Sequence, residues 1–241
     1  MINKECPVKQ RKECMRTMSR RHLDMSTYPR LDHFRYFLGM NNPFVNVTVQ
    51  VDLTDWLPQI RKAGFPFFLS FQYAVVRAAN RVPEFRQRIL DEGIVEYDFC
   101  SPSYTYGLPN GTYCYCLVNA NQPLADYLAE TKVKQEAALH AQSLEEEGDI
   151  LSQLFISCVP WVNYTELDMP WSDNRFSIPN FVWGSCRTEK QLCLIDGRVC
   201  EKDRISIPLT IFVNHALVDG RHIGQFLSFL EEELRNFGKC F

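Results

Sequence analysis

A largely apolar segment near the C-terminus runs into a histidine, and this junction constrains the fold more than any other feature. Residues Ile205 to Val213 are typical of a strand buried in a sheet. The next segment, His215 to Gly220, reads His-Ala-Leu-Val-Asp-Gly. An amphipathic helix is predicted from Arg221 to Phe237, with Asp219 as its N-cap. The pattern therefore predicts a buried strand, a tight turn and a helix, with His215 at the strand end.

His215 has a chemical and a structural interpretation. Histidine is the side chain best suited to moving a proton near neutral pH. Asp219 is placed to fix the turn, and Gly220 allows the backbone to bend before the helix. On these residues alone, a buried, hydrogen-bonded histidine of purely structural role is an equally good interpretation.

Composition narrows the class of protein. The chain has 241 residues, of which 46% are hydrophobic and 23% are charged, as in an ordinary globular domain. The net charge of −3 gives no reason to expect a nucleic-acid or anionic-membrane partner. No apolar run is long enough to span a membrane, and no hydrophobic signal core is present, so we expect a cytoplasmic protein. Residues 1–24 are basic and predict an N-terminal extension, and residues 25–241 predict a single domain.

The chain contains ten cysteines at irregular spacing. Cys186, Cys193 and Cys200 repeat every seven residues, but no fourth ligand lies nearby in the sequence. We therefore expect no metal site. Most of the cysteines are expected to be small buried hydrophobic residues in a reducing compartment.

Periodicity and turn residues predict an α+β fold, a two-layer sandwich with a mixed, largely antiparallel sheet and helices on one side. An Asp-Gly pair at 196–197 predicts a hairpin turn, and Pro109-Asn110-Gly111 predicts another turn. The predicted helices are 32–38, 54–62 with Thr54 as cap, 66–82, 123–146 and 221–237. The predicted strands are 44–52, 94–99, 104–106, 113–118, 154–159, 180–183, 191–195 and a last one from 199 onward.

Three separated motifs resemble one family. Tyr28 to Phe34 reads Tyr-Pro-Arg-Leu-Asp-His-Phe, Ile156 to Asn163 reads Ile-Ser-Cys-Val-Pro-Trp-Val-Asn, and Asn214 to His222 contains His-Ala-Leu-Val-Asp-Gly. In this order, they resemble the chloramphenicol O-acetyltransferases of the CoA-dependent acyltransferase superfamily. The resemblance covers roughly residues 28 to 237. It implies the α+β fold of that family. It also implies that acetyl-CoA is the co-substrate, that no metal is needed and that the acceptor is an alcohol.

The resemblance also implies roles for four side chains. His215 matches the general base that takes the acceptor's hydroxyl proton. Ser157 matches the donor to the oxyanion of the tetrahedral intermediate. Asp219 and Arg30 match an ion pair that holds the catalytic loop. His33 and His222 are interpreted as structural residues.

The family's quaternary structure implies a homotrimer with its active sites between subunits, so that the base and the acceptor pocket come from different subunits. CoA would reach His215 from the opposite side. Five side chains are candidates for the apolar wall of the acceptor pocket: Tyr36, Phe37, Tyr104, Phe155 and Leu167.

Several positions depart from the family pattern. Asn214 stands where the family has the first histidine of a His-His pair. Phe37 stands where many members have tyrosine, Val182 where they commonly have threonine, and Ser185 where they usually have lysine. The segment Cys186 to Lys202 is longer than usual. Because these changes remove polar contacts to acceptor and CoA, we expect acetyl transfer to survive with chloramphenicol as a poor acceptor.

Two alternatives stay open at this point. One is an acyltransferase for a different acceptor with little chloramphenicol activity. The other is a non-catalytic trimeric homologue that keeps the fold and binds a ligand or partner.

Overall fold

A computed structural model describes residues 19–139, 144, 147–195 and 197–237 of the chain. Its helices are α1 (Leu31–Leu38), α2 (Trp56–Ala63), α3 (Phe67–Asn80), α4 (Leu124–Ala138) and α5 (Gly220–Asn236). Its strands are β1 (Arg20–His22), β2 (Phe44–Asp52), β3 (Gln87–Leu90), β4 (Gly93–Tyr97), β5 (Ser101–Gly107), β6 (Tyr113–Leu117), β7 (Gln153–Cys158), β8 (Asn180–Trp183), β9 (Arg187–Ile195) and β10 (Arg198–Asn214).

The main sheet has seven strands. Six follow the order β2-β10-β8-β7-β5-β6, and the seventh, β9, pairs with residues 198–206 at the N-terminal end of β10. Strand β7 is parallel to both of its neighbours, and the other pairs are antiparallel. A second sheet has the order β1-β4-β3. This architecture confirms the predicted α+β class with a mixed, largely antiparallel sheet.

Alternate residues of the main sheet face two different environments. Leu209 and Ile211 of β10 and Phe181 of β8 are fully buried in the core that the sheet shares with the helices. We call this side of the sheet its inner face. The residues between them, such as Thr210 and Val182, point to the opposite side, which we call the outer face. This alternation decides which predicted site residues meet.

Helix α5 covers the inner face with a regular apolar stripe. Ile223, Phe226, Leu230 and Leu234 are all buried, at spacings of three or four residues. Phe226 contacts Phe181 of the sheet, with ring centroids 5.1 Å apart. Burying four such side chains stabilises the fold by roughly 1.5–3 kcal/mol each, which fixes the start of α5 next to the end of β10.

Two predicted details are wrong. Thr54 does not cap α2, whose N-cap is Asp55; the Thr54 hydroxyl instead accepts a hydrogen bond from the Ile205 amide at 3.0 Å. The predicted helix 123–146 ends at Ala138, and residues 140–143 and 145–146 lie outside the described residues.

The prediction also missed two short strands, β1 and β3. Strand β1 pairs with β4, so residues 20–22 of the predicted N-terminal extension belong to the small sheet. Residues 1–18 of that extension lie outside the described residues. Within the described chain, none of the helices is long and apolar enough to cross a bilayer.

Candidate active site

His215 lies one residue past the end of β10, in the turn that leads to α5. Its backbone amide donates to the Pro43 carbonyl at 2.7 Å. Its Nδ1 lies 3.1 Å from the Val218 carbonyl oxygen. A carbonyl only accepts hydrogen bonds, so this contact places the proton of a neutral imidazole on Nδ1. The Nε2 atom therefore keeps its lone pair, as a general base requires.

The imidazole of His215 is also held from the side. Phe37 of α1 stacks on it, with ring centroids 3.9 Å apart and an interplanar angle of 16°. Tyr36, the preceding residue, packs edge-on against Phe37 and is 67% exposed. The stack restricts ring rotation, so the loop and α1 together set the direction of Nε2.

Asp219 joins the turn to the start of α1. Its carboxylate accepts hydrogen bonds from Arg30 Nη1 and from the Arg221 amide, the latter at 2.9 Å. Burial acts to raise the pKa of Asp219, but the hydrogen bond and charge of Arg30, with His222 and the Arg221 amide, lower it to about 2. Asp219 is therefore ionised throughout the neutral range, and the predicted Arg30–Asp219 ion pair is present.

His222 completes the N-terminus of α5. It forms a capping box with Asp219, in which His222 Nδ1 accepts a hydrogen bond from the Asp219 backbone amide at 3.1 Å. Its Nε2 lies 3.5 Å from Glu84. Burial lowers the pKa of His222, against the opposing charges of Glu84 and Asp219. This buried capping geometry is that of a structural histidine, whereas His33 is exposed on α1.

Asn214 has a structural role in this turn. Its side-chain amide donates to the carbonyls of Asn174 and Phe176, each at 3.0 Å. Its Oδ1 accepts the Ala216 amide at 3.0 Å. The side chain is buried with donors and acceptor satisfied, so it ties the β7–β8 connection to the turn that carries His215.

Ser157 lies on the outer face of the sheet, near the end of β7. It is paired with Val182 of β8, which is paired with Thr210 of β10. The Ser157 hydroxyl is half-buried and lies 3.4 Å from the Thr105 hydroxyl of β5. Val182 places an apolar side chain beside Ser157, where a threonine would supply another hydroxyl.

The ladder keeps Ser157 and His215 of one chain far apart. Thr210 of β10 lies level with Ser157 across the sheet, through Val182 of β8. Four residues separate Thr210 from Asn214, a distance of about 14 Å along the strand. The two strand spacings between Ser157 and Thr210 add about 10 Å across the sheet, so the Cα atoms of Ser157 and Asn214 are about 17 Å apart. His215 lies one residue further on. The two side chains of one chain therefore do not meet at one reacting centre.

The five candidates for the acceptor wall are divided by the sheet. Tyr36 and Phe37 lie with His215. Phe155 is on the outer face two residues before Ser157, where it contacts Phe176. Leu167 is half-buried in the connection between β7 and β8.

The prediction that Tyr104 lines the acceptor pocket is wrong. It is 1% exposed on the inner face, where it pairs with Ile156 and its hydroxyl accepts a hydrogen bond from Gln135 at 3.0 Å. The sheet separates it from Ser157, so Tyr104 is a core residue rather than part of the acceptor wall.

Sequence reasoning missed two hydroxyl groups of the outer face. Thr105 contacts Ser157, and Tyr164 donates to the Val182 carbonyl at 2.7 Å while accepting from Thr210 at 3.2 Å. Thr105 was missed because Tyr104 was assigned to the acceptor wall, and adjacent residues of a strand face opposite sides of the sheet. Tyr164 was missed because it lies in an irregular connection.

Among the described residues, no group of three or more His, Cys, Asp or Glu side chains is arranged to hold a metal ion. The expectation of metal-free chemistry stays a prediction.

The sequence is similar to those of known proteins from one family. The sequence model of the family "Chloramphenicol acetyltransferase" matches residues 18–231. The chain belongs to the chloramphenicol acetyltransferase family. It is 28% identical over 214 residues to a chloramphenicol acetyltransferase of Escherichia coli, covering 87% of this chain and 91% of the relative. A chloramphenicol acetyltransferase of Proteus mirabilis is 26% identical over 218 residues, with coverage of 87% and 92%.

Solved structures agree on the fold. A chloramphenicol acetyltransferase structure superposes with a TM-score of 0.69 at 22% identity, covering 90% of this chain and 98% of the other. A dihydrolipoamide acetyltransferase of Azotobacter vinelandii superposes with a TM-score of 0.58 at 15% identity, covering 87% and 88%. Family membership makes this chain an acyltransferase, and acetyl-CoA is the co-substrate that the family implies.

Proposed function

We propose that this enzyme transfers the acetyl group of acetyl-CoA to a hydroxyl of chloramphenicol or a similar apolar alcohol. The observation that carries the proposal is the orientation of His215. Its Nδ1 is bound to the Val218 carbonyl at 3.1 Å and its ring is stacked on Phe37, which leaves Nε2 as a fixed proton acceptor. A purely structural histidine does not require this directed lone pair.

His215 acts twice in the proposed reaction. Its Nε2 takes the proton of the acceptor hydroxyl while that oxygen attacks the thioester carbonyl. When the tetrahedral intermediate collapses, the C–S bond breaks and the CoA thiolate receives the same proton from the imidazolium. The products are the acetyl ester and CoA, and no acyl-enzyme is formed. The Arg30–Asp219 pair positions the turn during both transfers.

Ser157 supplies the oxyanion donor in this proposal. Its hydroxyl is half-buried on the outer face, where a single well-placed hydrogen bond to a developing oxyanion is worth roughly 3 kcal/mol. The Thr105 hydroxyl lies 3.4 Å away, and in this proposal it donates to Ser157, which leaves the single proton of Ser157 for the oxyanion. Phe155 and Leu167 provide apolar surface for the acceptor on the same side of the sheet.

The proposal requires two copies of the chain for one site. Because His215 and Ser157 of one chain are separated by more than about 17 Å, the base of one copy must approach the outer face of another. A closed ring of heterologous contacts satisfies every copy equally, and we propose the homotrimer that the family resemblance implies. The mass in solution is then about 84 kDa, three times 28.1 kDa.

Two biological properties follow from this proposal. Acetylation of chloramphenicol would protect a cell, which makes antibiotic resistance a proposed role. We further propose a cytoplasmic location, because the reaction consumes acetyl-CoA.

A second acceptor class is favoured by the outer face itself. Val182 presents no hydroxyl next to Ser157, and Phe37 presents none next to His215. A site that lacks hydroxyl partners discriminates weakly between acceptors. An apolar alcohol with fewer polar groups than chloramphenicol is therefore the alternative substrate class.

The direct test is release of CoA thiol by the purified enzyme with acetyl-CoA and a panel of alcohols that includes chloramphenicol. We expect acceptor-dependent release by the wild type, and a loss of about 10²- to 10⁴-fold in His215→Ala. His33→Ala is the matched control, since this exposed histidine of α1 should keep wild-type activity.

Two outcomes would contradict the proposal. Undiminished release by His215→Ala would remove histidine from the role of base. Absence of release with every alcohol, from a protein that keeps its trimeric mass and melting temperature, would favour the non-catalytic homologue.

A further inference from the structure

Strands β9 and β10 form a two-stranded ribbon, which we call the arm (residues 187–206). Its base is bonded to the end of β2 and to Leu53 and Thr54, and beyond this base the two strands extend away from the rest of the sheet. From the pair Arg187–Ser206 to the pair Ile195–Arg198 the arm has eight steps, a length of about 27 Å. Among the strands that the structure describes, β9 is paired with β10 alone. Three aliphatic side chains of the arm are at least 69% exposed: Leu192, Leu194 and Val199. A lone two-stranded hairpin is marginally stable in water, so the arm needs further support.

Two thiols face each other across this arm. Cys193 and Cys200 are directly opposite in the antiparallel ladder, and both are half-exposed. Cys193 Sγ lies 3.5 Å from the Cys200 carbonyl oxygen, so it points across to the partner strand. Opposite residues in such a ladder have Cα atoms about 4.5–5.5 Å apart, which lies within the range that a disulfide spans.

The other described cysteines are not arranged in this way. Cys100, Cys114 and Cys116 are buried, and burial raises the pKa of each thiol and so suppresses the reactive thiolate. Cys158 is half-buried with its pKa raised by the same cause. Within the described ranges, Cys193 and Cys200 are the two cysteines that oppose each other across a ladder.

We propose that Cys193 and Cys200 form a reversible disulfide that staples the arm when a small disulfide oxidant is present. One thiolate attacks the oxidant, such as oxidised glutathione, and releases one reduced glutathione. The second thiolate attacks the mixed disulfide and releases the other, so that two thiols become one S–S bond. Exposure makes the bond accessible to reduction, as in regulatory rather than structural disulfides. The proposal is independent of the acetyl-transfer reaction.

Trypsin provides a direct assay, because it cleaves between the two cysteines. Cleavage after Lys190, Arg198 and Lys202 yields peptides 191–198 and 199–202, each with one cysteine. The full-length enzyme is incubated with oxidised or reduced glutathione, alkylated, denatured and digested without reduction. We expect these two peptides to be disulfide-linked after oxidation and separate after reduction.

Native-state proteolysis supplies the second measurement. Because a crosslink closing a short loop opposes local opening, we expect cleavage of the arm after Arg198 to slow at least about tenfold on oxidation. The effect should vanish in Cys193→Ser and persist in Cys186→Ser, the matched control at the exposed base of the arm.

Two results would overturn the proposal. One is that the two peptides carry alkylated thiols or single glutathione adducts after oxidation. The other is that oxidation protects the Cys193→Ser arm as well as the wild type.

Discussion

At the scale of single residues, the proposed chemistry depends on how little the His215 imidazole can move or rotate. Its Nδ1 is bound to Val218, its ring is stacked on Phe37 and its turn is anchored by Asp219. A displacement of about 1 Å in such a group can cost about 10²-fold in rate, so residues that never touch a substrate still matter here. Asp219 is the clearest case, because its charge can be removed while its cap is kept.

Asp219→Asn should make the free energy of unfolding less dependent on pH in the acidic range. Asn is a good N-cap but carries no charge for Arg30. In the wild type, the lowered pKa of about 2 means that the stabilisation by this carboxylate is complete above about pH 4 and is lost as pH falls toward 2. Because both partners are partly exposed, we expect a difference in the free energy of unfolding of about 1–2 kcal/mol at pH 7.

Urea denaturation from pH 2 to pH 7 measures this difference. Asp55→Asn is the matched control, since Asp55 is the N-cap of α2 without a side-chain cap bond and its side chain is 90% exposed. A wild type and an Asp219→Asn variant that differ by the same amount at every pH would contradict the assignment.

At the scale of elements, the close contacts of the outer face depend on a glycine at the end of β8. A Cβ on Gly184 would lie 2.4 Å from the Val162 carbonyl oxygen. The same stretch of backbone is held by bonds from Gly184 to Pro208 at 3.1 Å and from Ser185 to Val162 at 2.8 Å. The connection that follows β7 can therefore lie against the sheet only because this position has no side chain.

Gly184→Ala should lower the free energy of unfolding by about 1–3 kcal/mol, because backbone rather than a flexible side chain must move. The melting temperature measures the effect. Gly107→Ala is the matched control, since a Cβ at that strand position meets nothing within 4 Å. Equal melting temperatures for the two variants would show that the backbone near Val162 is not constrained.

Local sequence signals predicted the elements that carry their own pattern. The alternation of Val45 to Val51 predicted β2 with the bounds that the structure shows, and Asp219 was predicted as the cap of α5. Strand β1, which reads Arg-Arg-His, has no such pattern and is formed by pairing with β4.

The site was predicted less completely, because the face on which a side chain lies depends on register between distant strands. Tyr104 is adjacent in sequence to Thr105, and only the pairing with β7 shows that Tyr104 is in the core while Thr105 meets Ser157.

At the scale of the whole molecule, the sheet keeps the proposed base and the proposed oxyanion donor of one chain apart. His215 follows the end of β10, whereas Ser157 lies two strands away in the row of Thr210. In the proposed trimer, a site that is completed by a second copy couples catalysis to assembly, and each contact between copies repeats around the ring.

Complementation between two inactive variants tests this account most directly. His215→Ala and Ser157→Ala chains are co-expressed with different tags, and assemblies that carry both tags are purified and assayed with the acceptor that the wild type uses. Each mixed trimer has one interface in which an intact His215 meets an intact Ser157, so we predict about one third of wild-type activity, although each variant alone is nearly inactive. Doubly tagged assemblies without activity would contradict a site shared between copies.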